Sequence, residues 1–115
     1  MIAVIFEVMP AAGEKEEYLR IAAELKPVLE KMDGFISIER FQSLTNDGKI
    51  LSLSFWRDEE SIRAWRTLEV HREAQAEGRQ HIFADYHLRI AVVSRDYGMF
   101  ERKEAPADSR AYHEN

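Results

Sequence analysis

The 115-residue sequence has no cysteine, only five glycines and only three prolines. The absence of cysteine excludes disulfides, thiolate metal sites and cysteine nucleophiles. No apolar run approaches the roughly 20 residues that a membrane-spanning helix needs. The N-terminus also lacks the basic start and the cleavable apolar stretch of a signal peptide. We therefore expect no membrane partner and a cytoplasmic location.

Positive charge is also scarce, since 16 lysines and arginines face 21 aspartates and glutamates and the formal net charge is −5. Nucleic-acid binding needs a basic surface for phosphate contacts, so we expect no nucleic-acid partner. The hydrophobic share of 45% is ordinary for a globular protein, and the length allows one domain with one core.

The first half of the chain predicts a strand, a helix and a hairpin. Residues 2–9 are apolar and β-branched enough for a strand. Apolar side chains then recur at spacings of three and four, which predicts a helix that ends at Gly34; they are Tyr18, Ile21, Leu25, Val28 and Met32. Residues 35–43 and 50–56 predict two further strands, and residues 45–48 between them form a hairpin signal because Asn, Asp and Gly tolerate positive φ.

The second half predicts a helix and a last strand. Asp58 is a good N-cap, and two glutamates follow it in the first turn. We expect this helix to pause near Thr67 and to resume over residues 68–79. Residues 86–97 predict a long strand.

The predicted order is βαββαβ. With right-handed crossovers, this order gives an α+β, ferredoxin-like fold: a four-stranded antiparallel sheet with both helices on one face. We assign residues 1–100 to this domain and residues 101–115 to a C-terminal tail or an arm that reaches a partner.

The strands carry large apolar side chains on both faces, although two helices cover only one face. An uncovered apolar face marks an interface or a ligand site, and a two-fold homodimer packed sheet on sheet would cover it. We expect a partly polar cavity between the copies, lined by Phe35, Ser37, Glu39, Phe41, Ser52, Ser54, Trp56, His87, Arg89 and Arg95. The alternative is that these polar groups are simply exposed to solvent.

Five segments form a combined pattern: residues 1–7, residues 13–18, the Asp-Gly-Phe step at 33–35, the Phe-Trp-Arg-Asp passage at 55–65, and the helical histidine within 70–74. In these segments the sequence resembles the antibiotic biosynthesis monooxygenase family. The resemblance covers roughly residues 1–97. It implies a dimeric α+β barrel and a range of activities that includes cofactor-independent monooxygenases of aromatic polyketides and quinols, haem-degrading monooxygenases and an isomerase.

The haem-degrading branch of the family implies a helical tryptophan, an axial histidine and an asparagine on the first strand. Trp65 matches the tryptophan, but the axial position is Gln75 and the asparagine position falls at or beside Phe6. Glutamine is a poor iron ligand compared with imidazole. We therefore expect no cofactor, and haem binding by the usual route is disfavoured.

Two residues are the candidate catalytic groups. His71 shares a helix face with Gln75, and an imidazole beside a cavity could act as a general base on a phenol or quinol; the alternative is a surface histidine. Arg89 shares a strand face with His87, and its guanidinium could stabilise an anion; the alternative is an ion pair with Glu39 across the dimer.

The candidate substrate-binding residues are Phe41, Ser52, Ser54, Trp56, Trp65, Gln75 and His87. For Trp65, core packing is an equal alternative. No cluster of His, Asp and Glu has the spacing of a metal site, so we predict no metal ligands. The sequence predicts a cofactor-independent monooxygenase of a small aromatic or quinol-type substrate. The alternatives are a haem-binding or haem-degrading monooxygenase and a non-enzymatic small-ligand-binding stress protein.

Overall fold

The computed structural model describes residues 1–75 and 82–113, and it describes residues 68–75, 112 and 113 by their backbone only. The elements are β1 (Ile2–Pro10), α1 (Lys15–Glu30), β2 (Phe35–Gln42), β3 (Ile50–Trp56), α2 (Glu59–Gln75), β4 (Phe83–Val92) and α3 (Ala107–His113). The four strands form one antiparallel sheet in the order β2-β3-β1-β4, so the predicted ferredoxin-like fold is confirmed.

The first helix ends at Glu30, a few residues before the end predicted at Gly34. Lys31 caps α1 through its backbone N–H, and Gly34 has a φ of +85° in the turn that leads into β2. Glycine adopts positive φ without steric cost. The Arg57 N–H donates to the Gly34 carbonyl at 2.7 Å, so this turn is tied to the start of α2.

The second helix begins at a side-chain cap. The Asp58 carboxylate accepts hydrogen bonds from the Ser61 N–H at 3.0 Å and from the Ser61 hydroxyl at 2.8 Å. These bonds satisfy a donor at the helix N-terminus, as the sequence predicts. They also hold the pKa of Asp58 near 2, because the bonds from Ser61 stabilise the charged form.

Two expectations about the elements are wrong. The second helix does not pause at Thr67, because the Thr67 hydroxyl donates back to the Arg63 carbonyl at 3.0 Å and the helix continues to Gln75. The last strand begins at Phe83 and ends at Val92, since Pro10 and the preceding residues of β1 pair with it from Phe83 onward. The hairpin at residues 45–48 is confirmed, because β2 and β3 pair antiparallel on either side of it. Its turn forms without positive φ, which among the described residues occurs only at Gly13 and Gly34.

The core lies between the sheet and the two helices in two clusters. One is formed by Ile2, Leu29, Trp56 and Ile62, and the other by Val8, Tyr18, Ile50 and Ile82. Side chains of β1, β3, α1 and α2 meet in these clusters. Both helices therefore pack on the same face of the sheet.

Candidate functional site

The strand register separates two faces of the sheet, which we call the helix side and the helix-free side. Residues directly opposite each other in a ladder share a face. The helix side therefore carries Ile2, Val4, Phe6 and Val8 of β1 with Trp56, Ser54, Ser52 and Ile50 of β3. The helix-free side carries Ala3, Ile5 and Glu7 with Phe55, Leu53 and Leu51.

The prediction that Ser52, Ser54 and Trp56 line the helix-free side is wrong. All three are buried on the helix side, and the Trp56 indole donates to the Ser54 hydroxyl at 2.9 Å. A small serine lets a helix approach the sheet closely, and its hydroxyl can satisfy a buried donor nearby. Phe35 lies on the same side, because its ring packs on Trp56 with centroids 5.3 Å apart.

Four aromatic rings form a continuous cluster on the helix side near the start of β4. The Phe6 ring lies 6.0 Å from Phe83 and 5.5 Å from Tyr86, and Tyr18 of α1 lies 5.8 Å from Phe83. Such tilted and edge-to-face pairs add specific geometry to the apolar surface that they bury. Phe6 lies directly opposite Ser52, so the cluster adjoins the buried serine.

From Tyr86 onward, β4 extends this surface as a row of exposed apolar side chains. They are Tyr86, Leu88, Ile90 and Val92, with exposed fractions of 59%, 48%, 41% and 75%, and we call them the β4 row. Each is opposite a helix-side residue of β1, so the row faces the side where the helices lie. The sheet therefore has an apolar strip beside its aromatic cluster that remains open to a ligand or a partner.

The helix-free side combines apolar side chains with one ion cluster. Glu7 accepts from Arg89 at 3.2 Å and lies 3.4 Å from the Lys49 ammonium. The hydrogen bond from Arg89 lowers the pKa of Glu7, and the Lys49 charge acts in the same direction. Arg89 therefore pairs with Glu7 of its own chain, whereas the sequence alternative was a pair with Glu39 across a dimer.

Three predicted site residues do share the helix-free side: Phe41, His87 and Arg89. Phe41 is opposite Leu51, His87 is opposite Glu7, and Arg89 is opposite Ile5. A depression of about 260 Å³ lies at the Phe41 end of this face. Its lining residues are Glu7, Phe41, Gln42, Ser43, Lys49 and Leu51.

The other predicted site residues belong to α2, on the opposite side of the sheet. Trp65 is partly buried and packs against the core cluster of Trp56 and Ile62. His71 and Gln75 lie in the helix backbone, but their side chains are outside the described residues. Because α2 packs on the helix side, the sheet separates the His71 backbone from the Arg89 side chain.

Phe83, Tyr86, Leu88 and Ile90 were missed as candidate residues. The signal was present, because apolar residues alternate along β4 from Tyr86 to Val92. The alternation alone does not say which face of the sheet the helices cover.

Among the side chains that the structure describes, residues 1–67 and 82–111, no three His, Asp or Glu groups converge as a metal site. The part of the chain that the structure describes contains no helix long and apolar enough to cross a membrane.

The fold and the sheet faces define a ferredoxin-like α+β protein with helices on one side. The family model of the antibiotic biosynthesis monooxygenases matches residues 1–77, and the chain belongs to this family. A relative named "Jasmonate monooxygenase ABM", from Pyricularia oryzae, is 50% identical over 94 residues. The alignment covers 82% of this chain and 44% of the relative, so the chain spans less than half of that protein's length.

Solved structures share the fold at low sequence identity. The haem degrader MhuD from Mycobacterium tuberculosis, with two haems bound in its active site, has a TM-score of 0.67 at 16% identity and covers 85% of this chain and 100% of its own. A variant of SnoaB, a cofactor-independent oxygenase from Streptomyces nogalater, has a TM-score of 0.67 at 10% identity. The match covers 83% of this chain and 94% of SnoaB. These likenesses establish the fold, and a shared fold does not fix the reaction.

Proposed function

We propose that the protein is a monooxygenase that oxidises a small hydrophobic substrate on the helix side of the sheet. The observation that carries this proposal is the β4 row, an exposed apolar strip next to the cluster of Phe6, Phe83 and Tyr86. Ligand sites combine an apolar wall with a few polar groups, and Ser52 lies beside this wall. Membership of the family and the 50% identity to a named monooxygenase support the reaction class.

The substrate class has two candidates. The sequence predicts an aromatic or quinol-type compound, and the name of the Pyricularia oryzae relative gives jasmonate. A substrate with an acidic C–H or O–H group can supply the electrons for oxygen itself. Deprotonation gives an anion, addition of O2 gives a hydroperoxide, and loss of water leaves a carbonyl. One oxygen atom is then retained in the product, the other leaves in water, and no cofactor is required.

His71 is our candidate for the base in this reaction. It lies in α2, the helix that packs on the same side of the sheet as the β4 row. A neutral imidazole with a pKa near 6.5 can accept the substrate proton at neutral pH. We propose that Gln75, one turn later, is a substrate contact, while Arg89 and His87 are polar groups of the helix-free side.

We also propose that two copies pack through the helix-free side. Ile5, Leu51, Leu53 and Phe55 point to that side, and Phe41 on it is 42% exposed. A two-fold dimer would remove this apolar surface from water. Sedimentation of the parent and of Leu53→Asp at micromolar concentration tests this contact. The parent is expected to be a dimer and the variant a monomer, and a monomeric parent would exclude the contact. The cytoplasmic location stays a prediction.

Oxygen uptake tests the proposed reaction. The parent protein is assayed with jasmonate and with a quinol panel, with and without an added reductant. Leu88→Arg places a charge in the β4 row and is expected to lower kcat/KM at least about tenfold, or roughly 1.4 kcal/mol of transition-state stabilisation. Leu44→Arg is the matched control, because Leu44 is 97% exposed in the hairpin turn. Equal losses in the two variants would contradict a site on the β4 row.

Haem binding by the route that the resemblance implies is the disfavoured alternative. The asparagine position falls at or beside Phe6, and the Phe6 ring packs on Phe83 and Tyr86. Hemin titration separates this alternative, since binding would shift the Soret band. The non-enzymatic alternative would show ligand binding without oxygen uptake.

A further inference from the structure

The chain beyond β4 forms an ordered arm, which we define as residues 93–113. The Arg102 guanidinium donates to the Gly98 carbonyl and to the Ser109 hydroxyl, both at 2.9 Å. The same guanidinium lies 5.6 Å from the centre of the Tyr97 ring. These contacts connect the turn of the arm to α3, so the arm has a defined shape.

The end of this arm is apolar and exposed. Tyr97, Met99 and Phe100, which we call the arm tip, are exposed to 42%, 80% and 89%. Hydrogen bonds hold this conformation, and it nevertheless presents Met99 and Phe100 almost fully to solvent. Such an arrangement is typical of a surface that meets a partner.

The arm tip leaves the β4 row of its own chain uncovered, since the side chains of both are exposed. At its base, the Val93 N–H donates to the Met1 carbonyl at 3.0 Å, which continues the line of β4. Glu104 then closes the arm on itself, because its carboxylate accepts from the Asp96 N–H and its carbonyl accepts from Arg95. The radius of gyration is 17.0 Å, against roughly 13 Å for a compact domain of this length.

We propose that the arm tip of a second copy packs on the β4 row and completes the substrate site. Each copy then supplies one floor, the β4 row, and one cover, the arm tip. This inference rests on the proposed function, because it adds residues of the partner copy to the same site.

Two observations identify a second copy of this chain as the occupant. The row and the tip are both apolar and belong to one chain, so a two-fold pairing satisfies both surfaces twice. If a large apolar side chain has about 200 Å² of surface, the exposed fractions of row and tip amount to roughly 900 Å² per copy, close to the ~800 Å² that each partner of a standard interface buries.

The contact is continuous with the proposed dimer. β4 is an edge strand, and its residues from Ala84 to Ile90 are exposed although their side chains alternate between the two faces. A copy that packs on the helix-free side could pass its arm around this edge and reach the row. Such wrapping would also protect the unpaired outer edge of β4.

Cysteine crosslinking tests the contact without any activity assay, because the natural chain contains no cysteine. A tagged Leu88→Cys protein is mixed with an untagged Phe100→Cys protein under mild oxidation, and a covalent heterodimer is expected. Leu44→Cys replaces Leu88→Cys in the control mixture. The proposal would be overturned if the covalent heterodimer were no more abundant than in the control mixture. It would also be overturned if the Leu88→Cys/Phe100→Cys double variant formed mainly an intramolecular disulfide.

Subunit mixing tests whether the arm belongs to the site. Leu88→Arg removes the floor and Phe100→Asp removes the cover, so each variant alone is expected to lose activity. Refolding the two together at random gives half heterodimers, each with one intact floor facing one intact cover, and about a quarter of the parent activity should return. Loss in both variants without recovery would show that the arm acts within its own chain. Parent protein without oxygen uptake would sink the proposed reaction but leave the crosslinking result standing.

Discussion

The turn between α1 and β2 offers a direct test of how the fold is stabilised, through the substitution Gly34→Ala. Gly34 has a φ of +85°, which costs a residue with a side chain roughly 1–2 kcal/mol. A methyl group at this position would also lie 1.8 Å from the Ser61 hydroxyl oxygen and 2.6 Å from its Cβ. Neither distance is compatible with van der Waals contact, so Ser61 would have to move.

Movement of Ser61 has its own cost. The side chain is buried, and its hydroxyl donates to Asp58 at the start of α2. Overpacking of this kind costs typically 1–3 kcal/mol. We therefore expect Gly34→Ala to lower the free energy of unfolding by roughly 2–5 kcal/mol.

Gly13→Ala is the matched control for backbone strain. Gly13 has a φ of +79°, but nothing lies within 4 Å of the position of an added methyl group. This variant should lose only the conformational cost of roughly 1–2 kcal/mol. The difference between the two variants isolates the steric contact with Ser61.

Urea unfolding followed by tryptophan fluorescence measures both variants, since Trp56 is fully buried. Protein concentration is kept constant, because dimerisation would add to the apparent stability. In a Ser61→Gly background, which lacks both contacting atoms, Gly34→Ala should cost only the conformational part of roughly 1–2 kcal/mol relative to Ser61→Gly alone. If Gly34→Ala lowered the free energy of unfolding no more than Gly13→Ala does, the steric argument would be refuted.

Two further predictions concern α2 and the serines beneath it. The pKa of Asp58 is lowered to about 2 by its bonds to Ser61, so the stability from this group is present above pH ~4 and is lost as the pH falls towards 2. Asp58→Asn should therefore flatten the pH dependence of the free energy of unfolding between these values. The same pH dependence in the variant and the parent would contradict this prediction. Ser54→Ala removes the acceptor of the buried Trp56 indole and should cost roughly 1–3 kcal/mol in urea unfolding, whereas Ser37→Ala on exposed strand surface should change stability by less than ~0.5 kcal/mol. Equal effects of the two serine substitutions would mean that the indole finds another partner.

Much of the fold was predictable, because local signals agreed with the tertiary structure. Asp58 is the N-cap that the sequence indicated, and Gly34 marks the turn that follows α1. Thr67 shows the limit of such signals. Threonine favours a cap and also tolerates a helix interior when its hydroxyl bonds back to the preceding turn, and here it does the latter.

The site was less predictable, for a reason that lies in the strands. Alternation shows which residues share a face, such as Ser52, Ser54 and Trp56, but it does not show which face the helices cover. In β3 the more polar set is buried under the helices, and the leucines face the other way, because hydrogen bonds and close helix packing suit the serines there.

The sequence by itself determined the order of the four strands and the first two helices, the caps that separate them and the apolar character of both sheet faces. These are local properties, decided by residue type and by spacing within a few positions. Only the tertiary structure decided that Arg89 lies across the sheet from α2, that the β4 row is open, and that hydrogen bonds hold residues 93–113 as an arm with an exposed tip. These features depend on the strand register and on the face of the sheet that the helices pack on. Both are set by contacts between residues far apart in the chain.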